Sequence, residues 1–126
     1  MKHPFKVIET GYHKSAKQIL ASWVNGKLEV PMKVHGKIVF VPDVAVYKNG
    51  ILDCIYEVVH THPLTGYKYG LIQYFCYMNV CELTVFEISA DYILAQTAKP
   101  DPIMVKECYV VNPFEYEEDK LITPLG

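Results

Sequence analysis

The chain has 126 residues and a net charge of −2, a length that suits one domain and is too short for two good cores. Apolar residues make up 51% of the sequence and charged residues 21%, which argues against long disordered regions. No apolar run approaches the roughly 20 residues that cross a bilayer, and the N-terminal segment lacks the apolar core of a signal peptide. We therefore predict a single domain over 1–126, located in the cytoplasm and without a membrane partner.

All twelve basic residues are lysines, and the sequence contains no arginine. Arginine is the usual bidentate ligand of phosphate, so its absence and the negative net charge argue against non-specific coating of nucleic acid. A nuclease can still be acidic overall when its groove is locally basic or when bound metal ions supply positive charge.

The first predicted element is an amphipathic helix over 11–24, with Thr10 as its N-cap. Asn25-Gly26 ends this helix, and we expect the glycine to take the left-handed capping conformation. Residues 27–34 alternate only weakly between apolar and polar and include Pro31, which predicts an edge strand or an irregular one.

A β-hairpin is predicted at the centre of the chain. Strands over 38–47 and 51–62 flank the turn sequence Lys48-Asn49-Gly50. Both strands are apolar on both faces, which is typical of central strands that are covered on each side. This pattern favours a layered α/β domain over an open antiparallel sheet.

The rest of the chain adds one more helix and strand and a small extension. We predict a helix over 67–79, led by Thr65 and Gly66, and a strand over 83–88. A short helix over 90–97 and a strand over 103–111 form the C-terminal extension, which is followed by an acidic tail.

Two carboxylates, Asp43 and Glu57, lie on the two hairpin strands. A two-residue loop would place them on opposite faces of the sheet, whereas a three-residue loop over 48–50 makes them diagonal neighbours, roughly 7–8 Å apart. We predict the three-residue loop because it suits the Lys-Asn-Gly sequence. Two carboxylates on an apolar face are costly unless a cation such as Mg²⁺ or Mn²⁺ binds them. The alternative is that one or both lie at the sheet edge and are solvated.

The segment Val41-Pro42-Asp43, the hairpin and Ile55-Tyr56-Glu57-Val58-Val59 together resemble the core of the PD-(D/E)XK nucleases. The sequence from Glu57 to His62, followed by Lys68, is similar to the competence-protein (CoiA-like) branch of that superfamily. The resemblance covers about 12–88. It implies a restriction-endonuclease-like core, in which helices flank a mixed central sheet in the order αβββαβ.

The resemblance also implies a metal site and a catalytic set. Asp43, Glu57 and the backbone carbonyl of Val58 would bind Mg²⁺ or Mn²⁺. Asp43 and Glu57 would be catalytic together with Lys68. The lysine normally found two residues after the glutamate is replaced by Val59, so Lys68 would supply its charge from the next helix.

Four further residues would contact phosphate or substrate by the same resemblance. His13 and Lys17, four apart in the first helix, would approach from one side. Thr61 and His62, at the end of the second hairpin strand, would approach from the other. For the helical pair, a solvated helix edge is the alternative.

These observations support several hypotheses. The first is a metal-dependent nuclease that hydrolyses DNA. The second is a module of the same fold that has lost the chemistry and binds nucleic acid or a protein partner; the valine at position 59 and the absence of arginine favour it. A third is a zinc site at His60 and His62. Ten tyrosines in so short a chain also suggest a contact surface, and a homodimer is one form it could take.

Overall fold

The computed structural model describes residues 9–60 and 64–116. Its helices are α1 (Gly11–Val24), α2 (Gly66–Asn79) and α3 (Ala90–Ala95). Its strands are β1 (Lys27–Leu28), β2 (Met32–Val34), β3 (Lys37–Phe40), β4 (Val44–Lys48), β5 (Ile51–Val59), β6 (Leu83–Ser89) and β7 (Glu107–Val111). The predicted positions of α1, α2 and β6 are confirmed to within one residue. Within the described residues, no helix has the length and apolar character needed to cross a membrane.

The main sheet has five strands in the order β1-β4-β5-β6-β7. Strands β5 and β6 are parallel and joined through α2, while the other neighbouring strands are antiparallel. The fold class is therefore α/β with a mixed sheet, as predicted. Strands β2 and β3 form a separate two-stranded sheet.

Helices cover the main sheet on both faces, which confirms the interpretation of the hairpin strands as central. Neighbouring residues of β4 alternate between two buried clusters, with Ala45 in one and Val44 in the other. The first cluster includes residues of α2 and of the small sheet, among them Met32, Phe40, Ile72 and Phe75. The second includes residues of α1 and α3, among them Ala16, Leu20, Ala90 and Ile93.

The predicted single strand over 38–47 is wrong, because the chain breaks at Pro42. Proline has no N–H to donate to a strand ladder, and it interrupts the extended segment. The part before it, β3, leaves the main sheet and pairs with β2, while the part after it, β4, joins β5. Asp43 therefore follows a buried proline at the entrance to a central strand.

The predicted three-residue loop is also wrong. Lys48 pairs with Ile51, so the turn has two residues, and both Asn49 and Gly50 have positive φ, of 53° and 76°. A β-bulge then shifts the pairing by one residue, because Val46 pairs with Cys54 and Tyr47 with Leu52, which leaves Asp53 as the extra residue.

The bulge decides where the two carboxylates lie. Beyond it Val44 pairs with Tyr56, so Asp43 comes level with Glu57 rather than diagonal to it. A two-residue turn alone would have separated them onto opposite faces. The extra residue at Asp53 compensates for the shorter loop.

Glycine at position 26 has a packing role instead of the predicted capping role. Asn25 is the left-handed residue at the end of α1, with φ of 54°. A Cβ on Gly26 would lie 2.4 Å from Val44 Cγ1 and 3.2 Å from the carbonyl oxygen of Ala45. Position 26 must therefore stay small so that the chain leaving α1 can pass close to β4.

We expect Gly26→Ala to lower the free energy of unfolding by about 1–3 kcal/mol, because the added methyl overpacks the contact with β4. Gly11→Ala is the matched control: its Cβ would meet nothing within 4 Å in the first turn of α1. That substitution should leave stability unchanged or raise it by up to about 1 kcal/mol. Urea denaturation measures both, and equal effects would contradict the packing argument.

Candidate functional site

A cleft of about 490 Å³ opens where α1, the connection into β4 and the start of α2 meet. Charged side chains dominate its lining. Glu9, Glu29 and Asp43 contribute carboxylates, and His13, Lys17 and Lys68 contribute cationic groups. The structure thus brings five of the predicted site residues, Asp43, Glu57, Lys68, His13 and Lys17, into one charged cluster, with Glu57 lying behind the cleft wall.

Asp43 is fixed by the backbone of β5. Its Oδ2 accepts a hydrogen bond from the Val58 N–H at 2.8 Å. The same carboxylate faces α1, where His13 Nε2 lies 3.6 Å from Oδ2 and Lys17 Nζ lies 4.0 Å from Oδ1. Asp43 therefore has one backbone donor and two cationic neighbours.

Glu57 is buried, with 5% of its surface exposed. Its Oε1 accepts from Lys68 Nζ at 2.5 Å and its Oε2 accepts from the backbone N–H of Asp43 at 3.1 Å. Burial, followed by the nearby charge of Asp43, raises the pKa of Glu57 to about 7, although Lys68 opposes the shift. This carboxylate is the most perturbed acidic group of the cluster.

Hydrogen bonds from backbone N–H groups link the two predicted metal ligands, Asp43 and Glu57. Glu57 contacts the N–H of Asp43, and the Asp43 carboxylate contacts the N–H next to Glu57. Their remaining partners lie on different helices, since Lys68 belongs to α2 whereas His13 and Lys17 belong to α1. The carboxylates therefore lie at the junction of β4 and β5, one facing each helix.

Lys68 is placed by the N-terminal turn of α2. Thr65 caps this helix by accepting from the Lys68 N–H at 3.1 Å. The Lys68 ammonium then reaches both Glu57 and the carbonyl oxygen of Val41, at 3.1 Å from the latter. Its side chain is 26% exposed, so it reaches the cleft as well as the buried carboxylate.

His13 lies against the backbone carbonyl that the family resemblance assigns to a metal. Its Nε2 is 2.9 Å from the Val58 oxygen and its Nδ1 is 2.8 Å from Glu9 Oε2. Hydrogen bonding to Asp43 raises the pKa of His13 to about 9 against the opposing effect of burial, and Glu9 and the Val58 carbonyl add to the rise. The ring is therefore an imidazolium at neutral pH and donates from both nitrogens.

Lys17 is a buried lysine on the cleft side of α1, with 5% of its side chain exposed. Its Nζ contacts Glu9 Oε2 and lies 2.6 Å from Glu29 Oε2. Burial acts to lower the pKa of Lys17, but the hydrogen bonds to Glu29 and Glu9 outweigh it and raise the pKa. Both predicted phosphate contacts on α1 therefore already have carboxylate partners.

Sequence reasoning missed Glu9 and Glu29. Glu9 is four residues before His13, a spacing that could have suggested the pair. Glu29 lies in the connection between β1 and β2, and no local pattern in the sequence indicates that it reaches α1.

Glu87 is a further buried acid on the α2 face of the sheet. It pairs in register with Glu57 on the neighbouring parallel strand, and its Oε2 accepts from the Tyr109 hydroxyl at 2.8 Å. Burial and the two glutamates raise the pKa of Tyr109. A row of three acids, Asp43, Glu57 and Glu87, thus crosses three adjacent strands.

Three predicted residues remain, of which His60 also lines the cleft. Thr61 and His62 lie outside the described residues. His60 packs against the Tyr12 ring, with its Nδ1 3.5 Å from Asp91 Oδ1. Across 9–60 and 64–116, no group of three or more His, Cys, Asp or Glu side chains is arranged to bind a metal ion. The zinc hypothesis therefore gains no support here, and a magnesium site would have to use two carboxylates and a backbone carbonyl.

No family model matches this chain, and no curated protein or solved structure matches it significantly. The assignment to the PD-(D/E)XK nucleases, and to their competence-protein branch, therefore stays a prediction. The α/β architecture and the contacts of the cleft do not depend on that assignment.

The raised pKa of Glu57 predicts a loss of stability as pH rises. Because its pKa is about 7 in the folded chain against 4.5 normally, the folded state binds the proton more tightly. The contribution of Glu57 to stability is thus greatest below about pH 4.5 and falls until the pH passes about 7. Relative to Glu57→Gln, the wild type should lose about 2–3 kcal/mol over that range.

Urea denaturation at a series of pH values in EDTA measures this difference. Glu82→Gln, which removes an exposed carboxylate at the far end of β6, is the matched control and should keep the pH profile of the wild type. Parallel profiles for wild type and Glu57→Gln would show that Glu57 titrates normally.

Proposed function

We propose that this protein is a metal-dependent nuclease that hydrolyses phosphodiester bonds of DNA in the cleft. The observation that carries the proposal is the pair of hydrogen bonds from the Asp43 N–H to Glu57 and from the Val58 N–H to the Asp43 carboxylate, with Lys68 bonded to Glu57 at the edge of a cleft. Two acids on adjoining strands and a lysine from the first turn of α2 are residue types that metal-dependent phosphodiester hydrolysis uses.

The donor groups suit a hard divalent cation. Asp43, Glu57 and the Val58 carbonyl would hold it, and all three supply oxygen. The charge of Asp43 contributes to the raised pKa of Glu57, a repulsion that a shared cation would relieve. When bound, Mg²⁺ or Mn²⁺ polarises the scissile phosphate and lowers the pKa of an attacking water.

The cationic side chains have separate tasks in this proposal. Lys68 is held between Glu57 and the Val41 carbonyl, where its ammonium can stabilise developing charge on a phosphate oxygen or orient the water. His13 and Lys17, on the opposite wall, would bind a neighbouring phosphate of the strand. A restriction-endonuclease-like arrangement of the mixed sheet belongs to the same proposal.

The second candidate is a binding module that keeps this fold without the chemistry. It is favoured by His13, whose Nε2 donates to the Val58 carbonyl and so occupies one of the groups that would hold the metal. Val59, which replaces the lysine normally found two residues after the glutamate, also favours the binding module. Such a module would bind nucleic acid or a protein partner through the same cleft.

Cleavage of supercoiled plasmid in Mn²⁺ or Mg²⁺ separates the two candidates. Asp43→Asn, Glu57→Gln and Lys68→Met should each reduce the rate at least about 100-fold, since each removes a group that holds the metal or stabilises the phosphate. EDTA should abolish cleavage. Glu82→Gln, which makes the same charge change as the two acid variants but outside the cleft, should cleave at the wild-type rate.

Binding of the same DNA without cleavage, unchanged by Asp43→Asn or Glu57→Gln, would support the module instead. Thermal melts of every variant show whether a lost rate reflects a lost fold. A homodimer, which would present one cleft to each strand, is tested by light scattering of the protein with and without DNA.

A further inference from the structure

Glu29 places an exposed carboxylate on a buried cation. Its side chain is 59% exposed, while that of its partner Lys17 is 5% exposed, and the two groups lie 2.6 Å apart. The backbone of Glu29 has φ of 51°, a left-handed conformation that is uncommon for a residue other than glycine. Its N–H lies 3.4 Å from the carbonyl oxygen of Asp43, which ties this residue to the centre of the cleft.

Besides Asp43 at 4.0 Å, Lys17 has two closer carboxylate partners, and these two are not equivalent. Glu9 pairs with both His13 and Lys17, and its side chain is 28% exposed. Glu29 is about twice as exposed and lines the same cleft. A ligand entering from solvent would therefore reach Lys17 most directly at the position of the Glu29 carboxylate.

We propose that the Glu29 carboxylate occupies the position of a nucleic-acid phosphate on Lys17, and that a bound phosphate replaces it. The inference rests on the proposed function for the class of its ligand, a phosphodiester backbone. Carboxylate and phosphodiester each carry one negative charge and accept hydrogen bonds from an ammonium, so the exchange leaves Lys17 neutralised.

The exchange of Glu29 for phosphate requires little structural change in the rest of the chain. Lys17 keeps Glu9 as a partner while the phosphate takes the place of the Glu29 carboxylate, so the buried ammonium is not left unpaired. The left-handed backbone of Glu29 also favours the exchange, because a strained conformation persists only while the surrounding contacts hold it. Glu29 thus sets how strongly the cleft attracts phosphate, and Glu9 keeps Lys17 in place when Glu29 leaves.

Anisotropy of a fluorescein-labelled single-stranded oligonucleotide in EDTA tests the exchange apart from catalysis. Glu29→Gln should bind about tenfold more tightly than the wild type, because the competing charge is gone while the side chain keeps its size.

Two further variants make the result specific. Glu82→Gln makes the same change in net charge outside the cleft and should gain far less affinity. Combining Glu29→Gln with Lys17→Met should remove the gain, because the freed ammonium is then missing. A gain that Glu82→Gln matches, or that survives the loss of Lys17, would overturn the inference.

Inorganic phosphate supplies a readout that needs neither nucleic acid nor a Lys17 variant. It should raise the melting temperature of Glu29→Gln more than that of the wild type; equal shifts would overturn the inference. A larger shift in a protein that cleaves no DNA would keep this inference while the proposed function fails. Cleavage by the wild type with no gain in Glu29→Gln would do the reverse.

Discussion

The cleft depends on the reciprocal hydrogen bonds between Asp43 and β5. Pro42 ends the strand ladder just before this point because it has no N–H to donate. Two bonds that use a side chain replace the ladder: the Asp43 N–H donates to Glu57, and the Val58 N–H donates to Asp43. The side chains of both acids are thereby fixed by the backbone of the opposite strand, which makes the junction rigid without help from a ligand.

Charge balance explains the residues gathered around that junction. Buried carboxylates are costly unless they are paired. Lys68 of α2 pairs with Glu57, and His13 of α1 pairs with Asp43. Glu9 and Glu29 in turn neutralise Lys17, which would otherwise be a buried cation. Each of these charged groups thus has a partner of opposite charge.

The local parts of this arrangement could be predicted from the sequence. The stripe and caps of α1 and α2 follow from short-range chemistry, and both helices begin where their N-cap threonines predict. The cover of the central strands on both faces follows from the two-sided apolar pattern of the hairpin. The prediction that the last strand lies in a C-terminal extension is wrong, because β7 pairs with β6 in the main sheet. The sequence predicts Asp43 and Glu57 as diagonal neighbours through a three-residue loop, whereas a two-residue turn and a bulge bring them level, with one carboxylate facing α1 and the other α2. The turn and the bulge at Asp53 each shift the register by one residue, and no residue near position 53 indicates a bulge.

The non-local parts could not be predicted. The departure of β3 into a second sheet depends on its pairing with β2, and the reach of Glu29 to Lys17 depends on where that pairing leaves the β1–β2 connection. No periodicity or residue spacing in the sequence indicates either contact. Lys17 was expected at a solvated helix edge or against a phosphate, and its burial between two carboxylates is a tertiary effect that overrides the helical pattern.

Helix α2 ties the site to the stability of the whole domain. Ile72, Phe75 and Cys76 bury its middle against the sheet, and its first turn carries Lys68 to Glu57. Because the apolar contacts hold the helix against the sheet, the ammonium reaches the carboxylate without depending on the strength of that ion pair. A substitution in the core beneath α2 would therefore shift Lys68 as well as lower stability, so a loss of function there would not by itself identify a residue of the cleft. Variants that alter charge in the cleft while leaving Ile72 and Phe75 intact separate the two effects.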